Sequence, residues 1–166
     1  GCTDWGDQPM AVPGTVHELE GEKFVVQTVA SGLHVPWALA WTPDGRLLIT
    51  ERSGRLLVVE NGASEARLLA EVPDVDRAGE HGLMGMALSP TFTEDRFIFL
   101  SHTSRKGGRL VNRITRSRLT DTGLADRTVV VDDLPADDYH DGLPIRFGPD
   151  GKLYASTGDS ARRVLA

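Results

Sequence analysis

The chain of 166 residues contains a single cysteine, has no long apolar run and carries no surplus of positive charge. One cysteine excludes a disulfide within the chain. No segment approaches the roughly 18 consecutive apolar residues of a membrane-spanning helix. The net charge of −6 argues against a nucleic-acid partner, because such proteins usually carry a clear basic surplus. The 40% of apolar residues suffices for the core of one ordinary domain.

Residues 1–21 are polar and rich in glycine and proline, which predicts a flexible tether. The opening Gly-Cys-Thr-Asp resembles a bacterial lipoprotein after removal of its signal, with a lipid on Cys2. A stray cysteine in a tail explains the same residues, so both interpretations stay open. The first predicts a periplasmic or extracellular protein that is anchored to a membrane by lipid.

From residue 22 to residue 166, short apolar segments alternate with turns, and none has the sustained 3.6-residue period of a helix. Many short strands at regular spacing predict an all-β sandwich, barrel or propeller. The predicted strands are residues 24–29, 37–41, 46–50, 55–60, 84–88, 96–101, 110–119, 128–131, 145–147 and 152–156.

An internal repeat favours the propeller. Residues 37–50 match residues 143–156 position by position, with Pro-Asp-Gly in the middle, and residues 84–101 form a looser third copy. The repeat prolines at positions 43, 90 and 149 are 47 and 59 residues apart, close to the length of a propeller blade. The sequence therefore predicts about three blades. Trp37 and Trp41 alternate with small residues and are expected in a blade core.

Two polar residues flank the hairpin of the last copy, since His140 precedes its first strand and Asp159 follows its second. If the strands pair antiparallel, both side chains lie at one end of the sheet, where the carboxylate can orient the imidazole and raise its basicity. A structural role in turns is the alternative. Val35-Pro36 and Glu51-Arg52 flank the first copy, and this contrast favours a function for the histidine and aspartate.

The sequence resembles the soluble quinoprotein glucose/sorbosone dehydrogenases, which are aldose dehydrogenases that depend on pyrroloquinoline quinone (PQQ). The resemblance covers residues 23–160 in the expected order. Its most specific matches are His140, Gly142, Phe-Gly-Pro-Asp-Gly at 147–151, Leu-Tyr at 153–154 and Thr-Gly-Asp at 157–159, with further matches at 35–37, 47–52, 79–85 and 89–92. It implies a six-bladed β-propeller, of which residues 22–166 form the N-terminal portion.

The resemblance also implies a reaction, namely oxidation of the C1 hydroxyl of an aldose sugar by hydride transfer to PQQ. His140 would be the general base, and Asp159 would fix its tautomer. Glu80 and His140 would face the cofactor, calcium would bind to later blades, and an external acceptor would remove the electrons. The segment alone is expected to be inactive, since most cofactor contacts of the family lie in those later blades. Leu143-Pro144 replaces the usual Gly-Arg, which affects the expected substrate.

Two other functions stay open. A metal-dependent lactonase-type propeller needs clustered Glu, Asn and Asp ligands, of which the sequence shows no clear set. A non-catalytic propeller that binds carbohydrate or protein needs no such residues. An acidic cluster lacks the spacing of an EF-hand and is interpreted as a solvated loop, so we predict no metal ligands in the chain. The cluster consists of Asp132, Asp133, Asp137, Asp138 and Asp141.

Overall fold

A computed structural model describes residues 14–160. They form a β-hairpin, two four-stranded antiparallel sheets and a final two-stranded sheet. The strands are β1 (Val16–Leu19), β2 (Glu22–Val25), β3 (Pro36–Trp41), β4 (Leu47–Glu51), β5 (Arg55–Val59), β6 (Ala66–Glu71), β7 (Leu83–Leu88), β8 (Phe97–Lys106), β9 (Arg109–Thr120), β10 (Gly123–Pro135), β11 (Ile145–Phe147) and β12 (Leu153–Ala155). One helical turn, α1 (Phe92–Asp95), lies between β7 and β8. No helix within this part of the chain is long and apolar enough to cross a membrane.

The all-β prediction is confirmed, and each four-stranded sheet runs in chain order, as in a propeller blade. The described residues comprise two complete blades, β3–β6 and β7–β10, and the first hairpin of a third. The strand prediction did not include β6, because the apolar residues of this strand do not alternate with polar ones. In the structure β6 is mostly solvent-exposed. The short insertion in the second repeat forms α1, which buries Phe92.

The tether predicted for residues 1–21 includes β1 and the turn that follows it. β1 and β2 pair antiparallel, with Val16 opposite Val25. Glu20 and Gly21 join them with φ angles of 51° and 85°, as a two-residue turn with two positive φ angles requires. The sequence analysis predicted a strand at residues 24–29, which overlaps β2, but it missed β1 because it assigned residues 1–21 to a tether on their composition. Cys2 lies outside the described residues.

The main hydrophobic core lies between the two complete blades, and a second core joins β7 and β9 to β11. Ala38 and Ala40 pack against the main core. Trp37 and Trp41 therefore point to the opposite face of β3 and are 45% and 61% exposed. Among the described residues the two tryptophans lie outside the core between the two blades, because Ala38 and Ala40 form that contact.

A repeated hydroxyl group links each blade to the next. The Oγ1 of Thr50 accepts a hydrogen bond from the N–H of Ala38 at 2.9 Å and donates one to a carbonyl of β7 at 2.9 Å. Ser101 does the same one blade later, between the N–H of Gly85 at 2.8 Å and the carbonyl of Leu143 at 2.5 Å. Each hydroxyl thus satisfies backbone groups on two blades. These bonds fix the relative positions of the inner strands β3, β7 and β11.

Candidate active site

The candidate site lies at the end of the sheets where β3, β7 and β11 begin, which we call the site end. β11 and β12 pair antiparallel, with Ile145 opposite Ala155. His140, before β11, and Asp159, after β12, consequently reach the same end. The Nδ1 of His140 lies 3.0 Å from the Oδ1 of Asp159. The arrangement expected from the hairpin spacing is therefore present.

The two side chains differ in exposure. The imidazole of His140 is 65% exposed, whereas the carboxylate of Asp159 is 24% exposed. His140 has a φ of 59°, a left-handed conformation that is uncommon for a residue other than glycine. Because the carboxylate holds Nδ1, Nε2 is the ring nitrogen that is left to exchange a proton with a ligand.

Backbone contacts hold the two segments together. The N–H of Ser160 donates to the carbonyl of His140 at 3.3 Å, and the N–H of Gly158 donates to the carbonyl of Gly142 at 3.2 Å. A Cβ atom on Gly158 would lie 2.8 Å from the carbonyl carbon of His140 and nearer still to its oxygen. A residue without a side chain is required at this point for the close approach.

Glu80 reaches the same loop from the second blade. Its backbone N–H donates to the carbonyl of Asp138 at 3.2 Å, and its Oε2 accepts a long hydrogen bond from the N–H of His140 at 3.5 Å. Gly79 makes the approach possible, with a φ of 68° and a Cβ direction that points at the Asp138 carbonyl 2.7 Å away. The structure therefore brings Glu80 beside the backbone of His140, with its side chain exposed.

The acidic cluster is not one solvated loop. Asp132 and Asp133 form ion pairs with Lys106, Arg109 and Arg113 on the neighbouring strands. Asp141 is only 3% exposed, and burial raises the pKa of its carboxyl group. Its Oδ1 accepts a hydrogen bond from the N–H of Asp137 at 2.8 Å. Within residues 14–160, no group of three or more His, Cys, Asp or Glu side chains is placed to hold a metal ion.

Residues 33–166 match the sequence profile described as Glucose / Sorbosone dehydrogenase. The chain belongs to this family. Two curated proteins that the chain resembles are the quinoprotein glucose dehydrogenase B of Acinetobacter calcoaceticus, at 29% identity, and the aldose sugar dehydrogenase YliI of Escherichia coli K12, at 31% identity. The alignments cover 98% and 94% of this chain, but only 36% and 42% of those proteins.

A solved structure of the same kind supports the fold. The PQQ-bound aldose sugar dehydrogenase of Streptomyces coelicolor is 37% identical and superposes with a TM-score of 0.77 over 83% of this chain and 42% of that one. The chain thus forms part of a β-propeller and spans about two-fifths of the length of these relatives.

The three repeats each carry a histidine at the same position, three residues before the copy begins. They are His34, His81 and His140. The expectation that the first repeat lacks this histidine is therefore wrong. The contrast holds for the aspartate, because the position of Asp159 corresponds to Ser53 in the first repeat. Of the three histidines, His81 is 1% exposed and His34 pairs with no carboxylate through its ring, so His140 alone combines exposure with a carboxylate partner.

The replacement at Leu143-Pro144 affects the contact between blades. Pro144 occupies the repeat position of Ala38 and Gly85, whose N–H groups bind the linking hydroxyls. Proline has no N–H, so the third repeat cannot form this bond. Leu143 is fully buried in the second core. The change leaves the His140–Asp159 pair intact and alters the inner strand beside it.

Proposed function

We propose that the complete protein is a PQQ-dependent aldose dehydrogenase and that this chain supplies its general base. The observation that carries the proposal is the exposed imidazole of His140, held by the carboxylate of Asp159 at 3.0 Å. Family membership and relatives whose names specify glucose and aldose sugar dehydrogenases support the sugar substrate.

The residues present fit the proton chemistry of such a site. PQQ, when bound, supplies the two-electron acceptor that takes the hydride from C1 of the sugar. His140 and Glu80 would lie against it, because their loops run side by side at the site end and both side chains are exposed.

The proton step follows from the pairing. A neutral imidazole that donates its Nδ1–H to Asp159 presents a lone pair on Nε2, and this lone pair accepts the proton of the C1 hydroxyl. The carboxylate then stabilises the imidazolium that forms, as in other paired histidine–carboxylate sites. A positioned base of this kind contributes about 10²–10⁴-fold to the rate.

The proposal includes three features of the complete protein. Calcium would bind to later blades and assist the cofactor. An external acceptor would remove the electrons, and the protein would work outside the cytoplasm. Lipid attachment at Cys2 is one means of holding it at a membrane.

The test uses the full-length gene product supplied with PQQ and calcium, and it follows dye reduction with a panel of aldoses. We expect reduction with at least one sugar and a loss of about 10²–10⁴-fold in His140→Ala. His17→Ala removes a histidine on β1 and serves as the matched control, with unchanged activity. A loss of less than tenfold in His140→Ala contradicts the proposed base. Sugar binding without dye reduction supports the non-catalytic propeller instead.

A further inference from the structure

A buried hydroxyl and a buried amide lie behind the candidate site, on neighbouring strands of the second blade. Thr103 on β8 is directly opposite Asn112 on β9, and both residues are fully buried. The Oγ1 of Thr103 donates a hydrogen bond to the Oδ1 of Asn112 at 2.7 Å. Polar side chains are costly to bury unless they are hydrogen-bonded, and a satisfied buried network holds the groups that it binds in place.

The amide of Asn112 holds the loop that carries His140. Its Nδ2 donates to the carbonyl of Pro135 at 3.0 Å and to the carbonyl of Asp141 at 3.3 Å. A carbonyl oxygen can only accept, so the NH₂ group must face these two carbonyls and Oδ1 must face the hydroxyl. The hydroxyl of Thr103 therefore stabilises the orientation in which the amide binds the loop.

The backbone of Thr103 holds the loop that carries Glu80. Its N–H donates to the carbonyl of Gly82 at 3.0 Å, and its carbonyl accepts from the N–H of Asp76 at 2.9 Å. These two bonds close the loop at both ends. One residue on β8 thus binds the first loop through its backbone and the buried amide through its side chain.

His140 lies between two anchored carbonyls of its own loop. The carbonyl of Asp138 accepts from the N–H of Glu80 at 3.2 Å, and the carbonyl of Asp141 accepts from Asn112. The residue between them has a φ of 59°, a conformation that persists only when the surrounding contacts maintain it. Release of either carbonyl would let the imidazole move relative to a bound sugar.

We propose that Thr103 and Asn112 are positioning residues that couple the two loops of the candidate site. The path runs from the first loop through the backbone and hydroxyl of Thr103 to the amide, and from the amide to the loop of the imidazole. The effect of the two residues on catalysis rests on the proposed function, but the coupling of the loops does not.

The first test is hydrogen–deuterium exchange, followed by mass spectrometry, in the full-length gene product without PQQ. Thr103→Val keeps the shape of the side chain and removes the hydroxyl that binds the amide. We expect the backbone N–H groups of residues 137–142 to exchange about tenfold faster than in the wild type, as the loss of one buried hydrogen bond implies.

Thr115→Val is the matched control. It removes another buried hydroxyl of β9, which binds the carbonyl of Leu100 at 3.4 Å within the same blade. Exchange of residues 137–142 should stay at the wild-type rate in this variant. Equal exchange of that loop in Thr103→Val and Thr115→Val overturns the coupling.

The second test measures kcat and KM of the PQQ-loaded full-length gene product. We expect kcat to fall by about tenfold or more in Thr103→Val and in Asn112→Leu with little change in KM, because the base is displaced while the sugar still binds. Thr103→Ser keeps a hydroxyl and should retain most of the wild-type rate, and Thr115→Val should leave kcat unchanged. An unchanged kcat in Thr103→Val, or a Thr103→Ser variant that is equally slow, overturns the positioning role. If the wild type oxidises no sugar, the proposed function fails and hydrogen exchange still decides the coupling.

Discussion

Substitution of Gly158 by alanine tests whether the site depends on the close approach of two backbone segments. The new Cβ would lie 2.8 Å from the carbonyl carbon of His140, whereas ordinary contacts begin at 3.4 Å. The oxygen is nearer still, so the segments must separate by on the order of 1 Å. A displacement of this size at a reacting group can lower the rate by about 10²-fold. We therefore expect Gly158→Ala to lose about two orders of magnitude in kcat.

Gly142→Ala is the matched control. Gly142 accepts the backbone hydrogen bond of Gly158, yet a Cβ at Gly142 would meet nothing within 4 Å. Both variants are assayed by PQQ-dependent dye reduction in the full-length gene product, with circular dichroism to verify folding. If folded Gly158→Ala keeps a kcat within about threefold of Gly142→Ala, the backbone approach does not position His140 and the reasoning is refuted.

Three further substitutions test other parts of the account. Burial lowers the pKa of His102 from 6.5 to about 4, so folding stability is complete above pH 6.5 and falls by about 3 kcal/mol as the pH drops to 4. His102→Gln should make the free energy of unfolding, measured in urea, depend less on pH. An unchanged pH dependence in this variant would contradict the role of His102. Thr50→Val leaves the N–H of Ala38 and a β7 carbonyl unpaired and should lower the free energy of unfolding by about 2–3 kcal/mol, whereas no loss in urea titrations would show that the link is unimportant. Asp159→Asn removes the charge that selects the His140 tautomer and should lower kcat by about 10²-fold, and full activity would exclude an orienting role.

The hairpin that carries the candidate pair was predictable because its signals are local. Pro-Asp-Gly specifies the turn, and alternating apolar residues specify the strands on either side. Antiparallel pairing then places His140 and Asp159 at one end without knowledge of the rest of the fold. The repeat extended the same reasoning to the blades.

The residues behind the site depend on contacts between blades, and local patterns do not reveal them. Asp141 stands in an acidic stretch that suggests a solvated loop, yet it is only 3% exposed, and its backbone carbonyl accepts a hydrogen bond from Asn112 on β9. The buried His81 had a signal in its repeat position, which it shares with His140. Alternation along β3 likewise predicts that Trp37 and Trp41 share one face of the strand, but not that Ala38 and Ala40 on the other face meet the second blade.

The most direct test of the central claim is the isotope effect on oxidation of an aldose that carries deuterium at C1. It is measured for the PQQ-loaded full-length gene product and for His140→Ala at the same pH. We expect slower oxidation of the deuterated sugar by the wild type and a loss of about 10²–10⁴-fold in the variant. Equal rates for both sugars in single-turnover measurements, together with an undiminished rate in His140→Ala, would contradict it.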